Sequence, residues 1–175
     1  MSNRLDLSSG ETEAYFHITG LGNGLGSNKF EDHNDRNFCW CLVTLSIKNR
    51  YFLFNRTEDE MLNFGEVIYL RDCLNDLLND QFDSACSVSF IEPDLKFELH
   101  PKLDLRTLKN IWVREGMEIQ DISVDLIISL SDMKTGYNGQ TYSFPLDRGE
   151  IESLWGYLNE VIPLLDNQWV ESISS

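Results

Sequence analysis

Short runs in which apolar and polar residues alternate constrain the fold of this chain more than any other feature. The strongest run, residues 38–47, puts Val43, Leu45 and Ile47 on one side, and residues 119–130 repeat the pattern. A period of two is that of a β-strand with one buried face and one face toward solvent. The chain is therefore expected to form half-exposed sheets, which are typical of antiparallel architecture.

Further strands are predicted around these two runs, with turn-forming residues between them. Their ranges are 13–19, 51–54, 86–91, 95–99, 108–113 and 141–144. The pair Pro93-Asp94 predicts a turn, because proline fixes φ and aspartate bonds its own backbone nearby. Residues 48–50 and 136–139 predict turns as well. Connections this short join strands that run antiparallel.

Two other segments carry the period of an amphipathic helix. In residues 66–79, the apolar side chains fall within an arc of about 100°, the width of a core-facing stripe. They are Val67, Leu70, Leu74, Leu77 and Leu78. A second helix is predicted to begin at a capping box formed by Asp147 and Glu150, with an apolar stripe over residues 151–162. Pro163 is expected to interrupt it.

These elements predict an α+β fold, a largely antiparallel β-sheet with two packed amphipathic helices. The polar, serine-rich residues 1–12 predict a flexible N-terminal tail, and residues 13–175 are expected to form a single domain. No apolar stretch approaches the ~20 residues that span a membrane, and the first residues lack the apolar segment of a secretory signal. A cytoplasmic location is therefore expected.

The chain is strongly acidic, with 29 acidic residues, 14 basic residues and a formal net charge of −15. Nucleic acids and anionic membranes are bound mainly through lysine and arginine, so direct binding to either is not expected. Residues 58–98 hold eleven acidic and two basic residues, and residues 149–175 hold five acidic and no basic residues. Charge this uneven favours a basic protein partner, although solubility alone is the simpler alternative.

The first predicted helix carries part of this charge in a regular pattern. Asp72, Asp76 and Asp80 are four residues apart, and Tyr69 projects between the last two of them. Like charges at this spacing repel each other by roughly a few tenths of a kcal/mol per pair. Since local stability does not favour the arrangement, we predict that these four residues bind a partner, with the tyrosine as an aromatic anchor. A merely solvated helix face is the alternative.

No segment has the spacing of a known cofactor or metal motif. The glycine-rich residues 20–26 lack the third glycine of a dinucleotide-binding loop, and the oxygen-rich residues 31–35 lack the glycine of a calcium-binding loop. The histidines (His17, His33 and His100) and the cysteines (Cys39, Cys41, Cys73 and Cys86) lack zinc-site spacing. The cysteines lie in apolar segments and are expected to be reduced core thiols. No cofactor or metal is therefore expected.

The sequence also lacks a recognisable set of catalytic residues. No Gly-x-Ser-x-Gly motif occurs, which excludes the common nucleophile elbow. Glu92 and Asp94 are the first carboxylate pair to consider for hydrolase chemistry. They flank a proline in a predicted turn, and the turn explains both residues without catalysis. The protein is expected not to be an enzyme, with a small carboxylate-using hydrolase as the alternative.

Several of these runs occur in an order shared with a known family. They are Phe-Cys-Trp-Cys-Leu-Val-Thr-Leu-Ser-Ile at 38–47, Tyr-Phe-Leu-Phe at 51–54, the leucine-rich residues 70–78, Ser-Phe-Ile-Glu-Pro-Asp-Leu-Lys-Phe-Glu-Leu at 89–99, Tyr-Ser-Phe-Pro-Leu at 142–146 and Ile-Glu-Ser-Leu-Trp-Gly-Tyr-Leu at 151–158. Over residues 14–162 the chain resembles the WapI family of bacterial immunity proteins. The stretch Phe-Ile-Glu-Pro-Asp-Leu-Lys-Phe is the most specific part.

The resemblance implies a non-catalytic antitoxin of the cytoplasm. Such a protein binds and neutralises the C-terminal domain of a contact-dependent polymorphic toxin, which is often a nuclease. The acidic charge of this chain suits a basic toxin domain. The family has no shared catalytic residues to transfer. A scaffold or oligomeric binding module without a toxin partner is the remaining alternative.

Overall fold

The protein consists of antiparallel strands in two groups, and a helix follows each group. The computed structural model describes residues 5–9, 11–22, 36–51, 53–92, 94–109, 112–132 and 137–173. Within these ranges the elements are, in chain order, β1 (Leu5–Ser9), β2 (Thr12–Leu21), β3 (Trp40–Lys48), β4 (Leu53–Asn63), α1 (Phe64–Leu78), β5 (Cys86–Ser89), β6 (Leu95–His100), β7 (Leu103–Asp104), β8 (Ile119–Gln120), β9 (Ser123–Asp132), β10 (Tyr137–Leu146) and α2 (Arg148–Ile173).

The first four strands form an antiparallel sheet in the order β1-β2-β3-β4. In β3, Val43, Leu45 and Ile47 are buried, which confirms the predicted alternation. The sequence predicts a flexible tail over residues 1–12, but Leu5–Ser9 pair with β2 instead. Leu5 and Leu7, two apart on this strand, are both buried in the core, and this burial offsets the entropy lost on ordering the segment.

The second sheet has the order β10-β9-β6-β5, and all its neighbouring strands are antiparallel. The predicted strand over 119–130 is divided in two, because the chain leaves β8 and enters β9 only after Asp121 and Ile122. The turn predicted at 136–139 is wrong for residues 137–139, which belong to β10. Residues 108, 109, 112 and 113 form no strand, contrary to the strand predicted over 108–113.

Strands β7 and β8 pair with each other in a separate two-stranded ribbon between β6 and β9. We call the described residues of the segment that contains this ribbon, 101–109 and 112–121, the arm. The backbone N–H of Leu105 donates to the carbonyl of Glu118 at 2.8 Å and continues the ribbon by one bond. The arm is thus a hairpin-like insertion between two paired strands of the second sheet.

Both halves of the chain have the same order of elements, a four-stranded antiparallel meander followed by a helix. Strands β1–β4 precede α1, and strands β5, β6, β9 and β10 precede α2. Helix α1 packs against α2, and β1 contacts β10, so the two sheets share one hydrophobic core. The architecture confirms the predicted α+β class with antiparallel sheets and two packed helices.

Helix α1 begins directly at the end of β4. The side chain of Asn63 accepts a hydrogen bond from the N–H of Glu66 at 2.8 Å, and the Glu66 carboxylate accepts one from the N–H of Asn63 at 2.8 Å. This capping box satisfies donors that a helix start would otherwise leave without a partner. The second Glu66 oxygen accepts from the N–H of Ile91 at 2.7 Å, which ties the helix start to the connection between β5 and β6.

Helix α2 begins at the predicted capping box, with Asp147 and Glu150 bonded reciprocally at 3.0 Å. The predicted interruption at Pro163 is wrong, because α2 continues to Ile173. Proline removes one backbone hydrogen bond from a helix and crowds the preceding turn. Here Val161 before the proline and Leu165 after it are both buried, and this packing holds the helix together across the defect.

Candidate partner-binding site

Helix α1 buries one face and presents the other to solvent. Its buried side chains are Phe64, Val67, Leu70, Cys73, Leu74 and Leu77. On the opposite face Tyr69, Asp72 and Asp76 are exposed. We call these three residues the acidic stripe. The structure thus brings together three of the four residues predicted to bind a partner.

Two local contacts modify the acidic stripe. Arg71 donates from Nε to Oδ1 of Asp72 at 2.6 Å and offsets part of the negative charge. A hydrogen bond from the Tyr69 hydroxyl to Cys73, one turn later, raises the pKa of Tyr69. The phenol is therefore neutral at neutral pH. A partner would meet an exposed, uncharged aromatic side chain with two carboxylates on its C-terminal side along the helix.

The fourth predicted residue, Asp80, lies beyond the helix rather than on it. Helix α1 ends at Leu78, and Asp80 has a φ of 54°, in the left-handed region. Its N–H donates to the carbonyl of Leu77 at 3.1 Å, and the next N–H, of Gln81, donates to the carbonyl of Asp76 at 2.9 Å. These two bonds form a Schellman motif, in which the left-handed residue is usually glycine.

The carboxylate of Asp80 faces the arm. Lys102 donates from Nζ to Asp80 at 3.0 Å, at the point where the arm leaves β6. At the other end of the arm, Arg148 of α2 donates to both carboxylate oxygens of Asp121, at 2.9 and 2.8 Å. These bonds lower the pKa of Asp121 to about 2. One ion pair therefore fixes each end of the arm to the end of a helix.

The arm also has internal ion pairs of its own. Arg106 donates from Nε and Nη2 to the two oxygens of Asp104, at 2.8 and 2.6 Å. This bidentate contact lowers the pKa of Asp104 to about 2. Asp104 additionally accepts from the backbone N–H of Arg106 at 3.0 Å. Polar contacts thus stabilise the arm, and its apolar side chains take no part in them.

Those apolar side chains are the main site feature that sequence reasoning missed. Of twelve large exposed apolar side chains in the described ranges, five lie in the arm: Leu103, Leu108, Trp112, Met117 and Ile119. We call these five residues the apolar patch; the pairing of Leu103 with Gln120 and of Asp104 with Ile119 places Leu103 and Ile119 on opposite faces of the ribbon. Trp112 is 86% exposed and Met117 60% exposed. The run 108–113 is interpreted from sequence as a strand, and its tryptophan, inside an apolar run between charged residues, was the available signal.

The carboxylate pair considered for hydrolase chemistry is divided between two environments. Asp94 is buried and forms an ion pair with Arg56 of β4, and its carbonyl accepts from the N–H of Ser129 at 2.8 Å. Glu92 is exposed. The ion pair joins the first sheet to the turn between β5 and β6, which gives Asp94 a structural role.

One recess lies between β2 and α2, with a volume of about 130 Å³. It is lined by His17, Gly20, Tyr157, Glu160 and Gln168, among others. Pockets for small molecules usually measure roughly 300–1,000 Å³. This recess is smaller than that range, so it does not suit a substrate of ordinary size.

One group of possible metal ligands occurs in the described part of the chain. Glu98, His100 and Asp125 bring their ligand atoms within 4.8 Å of one another on the outer face of the second sheet. Lys96 donates to Glu98 at 2.5 Å and lowers the pKa of Glu98, and His100 Nε2 lies 3.2 Å from Asp125. Existing ion pairs therefore already use these ligand atoms.

The remaining metal candidates from sequence do not form a site in the described residues. Residues 31–35, including His33, lie outside the described ranges. The four cysteines are not joined in disulfides; Cys41 and Cys73 are buried, as expected of core thiols, whereas Cys39 and Cys86 are only half-buried. Burial raises the pKa of Cys41 to about 12, so its thiol stays protonated at neutral pH and is a poor metal ligand.

In the described ranges, no helix has the length and apolar character that crossing a bilayer requires. The structure thus combines an acidic α+β fold with an exposed acidic helix face and exposed apolar side chains on the arm. The chain belongs to the WapI-like immunity protein family, which it matches over residues 6–165. The match covers nearly the whole chain and confirms the resemblance seen in its motifs.

Other comparisons add little to this assignment. No curated protein matches the chain. Among solved structures, the chain is similar to the plant transcriptional regulator PBF-2, with 12% sequence identity and a TM-score of 0.44. That alignment covers 98% of this chain and 86% of the plant protein. The likeness is too distant to bear on function.

Proposed function

We propose that this protein is an immunity protein that binds a cognate toxin domain in the cytoplasm and neutralises it without catalysis. Membership of the WapI-like immunity family is the observation that carries the proposal. An immunity protein protects by occupying the surface of its toxin, so its function requires an accessible binding face and no chemistry of its own. The exposed face of α1 and the exposed arm meet this requirement.

The acidic stripe is the surface that we assign to a basic region of the toxin domain. Asp72 and Asp76 are exposed on a rigid helix whose other face is fixed in the core. Complementary charge raises the rate of encounter and suppresses wrong partners more than it adds affinity. Tyr69 adds a large, exposed aromatic contact beside the charges, of the kind that often dominates binding energy.

The test is co-expression with the toxin domain encoded next to the gene of this protein. The wild-type chain is expected to restore growth and to co-purify with that domain. The variant Asp72→Lys with Asp76→Lys is expected to bind more weakly, because two attractions become repulsions. Circular dichroism should show an unchanged fold, since both side chains are exposed.

A matched control reverses the same number of charges elsewhere, with Glu11→Lys and Glu13→Lys in the hairpin of β1 and β2, where both side chains are exposed. This control is expected to bind nearly as tightly as wild type. If the wild-type chain neither restores growth nor co-purifies, the proposed function is wrong. If both charge reversals weaken binding equally, net charge acts alone and the acidic stripe is not the contact.

A further inference from the structure

The apolar patch of the arm is an exposed surface that the fold itself does not need. The arm pairs within its own ribbon, and ion pairs hold its ends, so Trp112 and Met117 contribute no burial to the core. Clustered exposed apolar side chains on a soluble domain commonly mark a protein interaction site. Tryptophan is among the residues most enriched in binding hot spots.

The base of the arm lies at the C-terminal end of the helix that carries the acidic stripe. Asp80, two residues after the end of α1, is bonded to Lys102 at the base of the arm. This bond ties the segment that carries the apolar patch to the end of α1. Exposed charged side chains of both signs, Lys109, Arg114 and Glu115, accompany the apolar side chains along the arm and supply the polar rim that interfaces usually have.

We propose that Trp112 and Met117 of the apolar patch insert into an apolar recess of the cognate toxin domain, whose basic region is bound by the acidic stripe. This inference rests on the proposed function and adds a second contact to it. A second copy of the chain is a poorer occupant, because it carries the same net charge of −15 and is repelled. A basic domain is attracted by that charge and brought into reach of the arm.

The two contacts respond differently to salt, and this difference makes them separable. Added salt screens attraction between exposed charges. Apolar burial is not weakened in this way. Loss of the apolar contact should therefore lower affinity by a similar factor at low and high salt, whereas loss of the acidic stripe should flatten the dependence of affinity on salt.

The experiment measures affinity of the full-length protein for the neighbouring toxin domain by titration calorimetry at low and high salt. Trp112→Ala with Met117→Ala is expected to lower affinity by at least about 30-fold at both salt concentrations, as hot-spot truncation does. Tyr51→Ala is the matched control, because Tyr51 is 82% exposed in the turn between β3 and β4. It is expected to leave affinity unchanged.

Three results would overturn the inference. If the wild-type chain binds the toxin domain and the arm variant binds it with equal affinity, the apolar patch is not a contact. The proposed function would then still hold. If the arm variant also keeps its affinity for the toxin domain but fails to form a dimer that the wild-type chain forms, the apolar patch binds a second copy of the chain instead. A wild-type chain that does not bind the toxin domain overturns the proposed function and this inference together.

Discussion

Tyr157 of α2 completes an edge of the first sheet that β1 leaves open. Strand β1 pairs with β2 only from Thr12 to Phe16. Beyond that point the N–H of Ile18 donates to the Tyr157 hydroxyl at 2.7 Å, and both residues are buried. The substitution Tyr157→Phe removes one oxygen atom and leaves the ring in place, so it tests this single bond.

The expected cost follows from the burial of the donor. A backbone N–H that loses its partner away from water destabilises a protein by about 1–3 kcal/mol. For a chain of this size, each kcal/mol lowers the melting temperature by about 2–4 °C. The control Tyr51→Phe removes the same atom from an exposed ring and is expected to change stability by less than about 0.5 kcal/mol.

Equilibrium unfolding in urea measures the cost, with equal m-values required for the two proteins. Hydrogen exchange provides a local check, because the amide of Ile18 should lose protection in Tyr157→Phe. The explanation is refuted if Tyr157→Phe is no less stable than the Tyr51→Phe control. It is also refuted if the Ile18 amide exchanges as slowly as in wild type.

Two more predictions concern the end of α1 and the buried titratable groups. The free energy of unfolding of Asp80→Gly should be about 1 kcal/mol higher than that of Asp80→Ala. Both variants lose the ion pair with Lys102, but only alanine is strained at a φ of 54°. Equal urea midpoints would contradict this. Burial raises the pKa values of Cys41 and Tyr157 to about 12, so the folded state retains these protons more tightly than the unfolded chain. The contribution of these two groups to the free energy of unfolding should therefore be fully present below pH of about 9 and should fall as pH rises toward 12. In Tyr157→Phe the fall above pH of about 10 should be less steep. Urea unfolding across this range with no such decline would contradict the assignment.

Strands with strict alternation were predictable, because a period of two has no other common explanation in a globular chain. The part of β4 after Phe54 was not predictable in this way. Residues 55–60, Asn-Arg-Thr-Glu-Asp-Glu, include several poor strand formers, and pairing with β3 overrides that preference. The strand accommodates a register shift at Glu58, which has a φ of 53° and donates its N–H to Thr44 Oγ1 at 3.2 Å.

Some parts of the candidate site were likewise predictable from the sequence and others were not. Helical spacing alone placed Tyr69, Asp72 and Asp76 on one face, since that geometry is fixed once the helix forms. Asp80 was misplaced because the helix ends in a Schellman motif without the glycine that usually signals it. The exposure of Trp112 depends on whether another element covers the arm, and composition does not determine that.

The arm has a further consequence when it is considered as a polymer loop. Strands β6 and β9 pair directly on either side of it, so their ladder closes the loop whatever its length. The entropy of closure grows only with the logarithm of length, and doubling a loop costs about 0.6 kcal/mol. Insertions, deletions and exchanges in this segment therefore cost little in the folding equilibrium, and the arm can change in length and sequence while the core stays as it is.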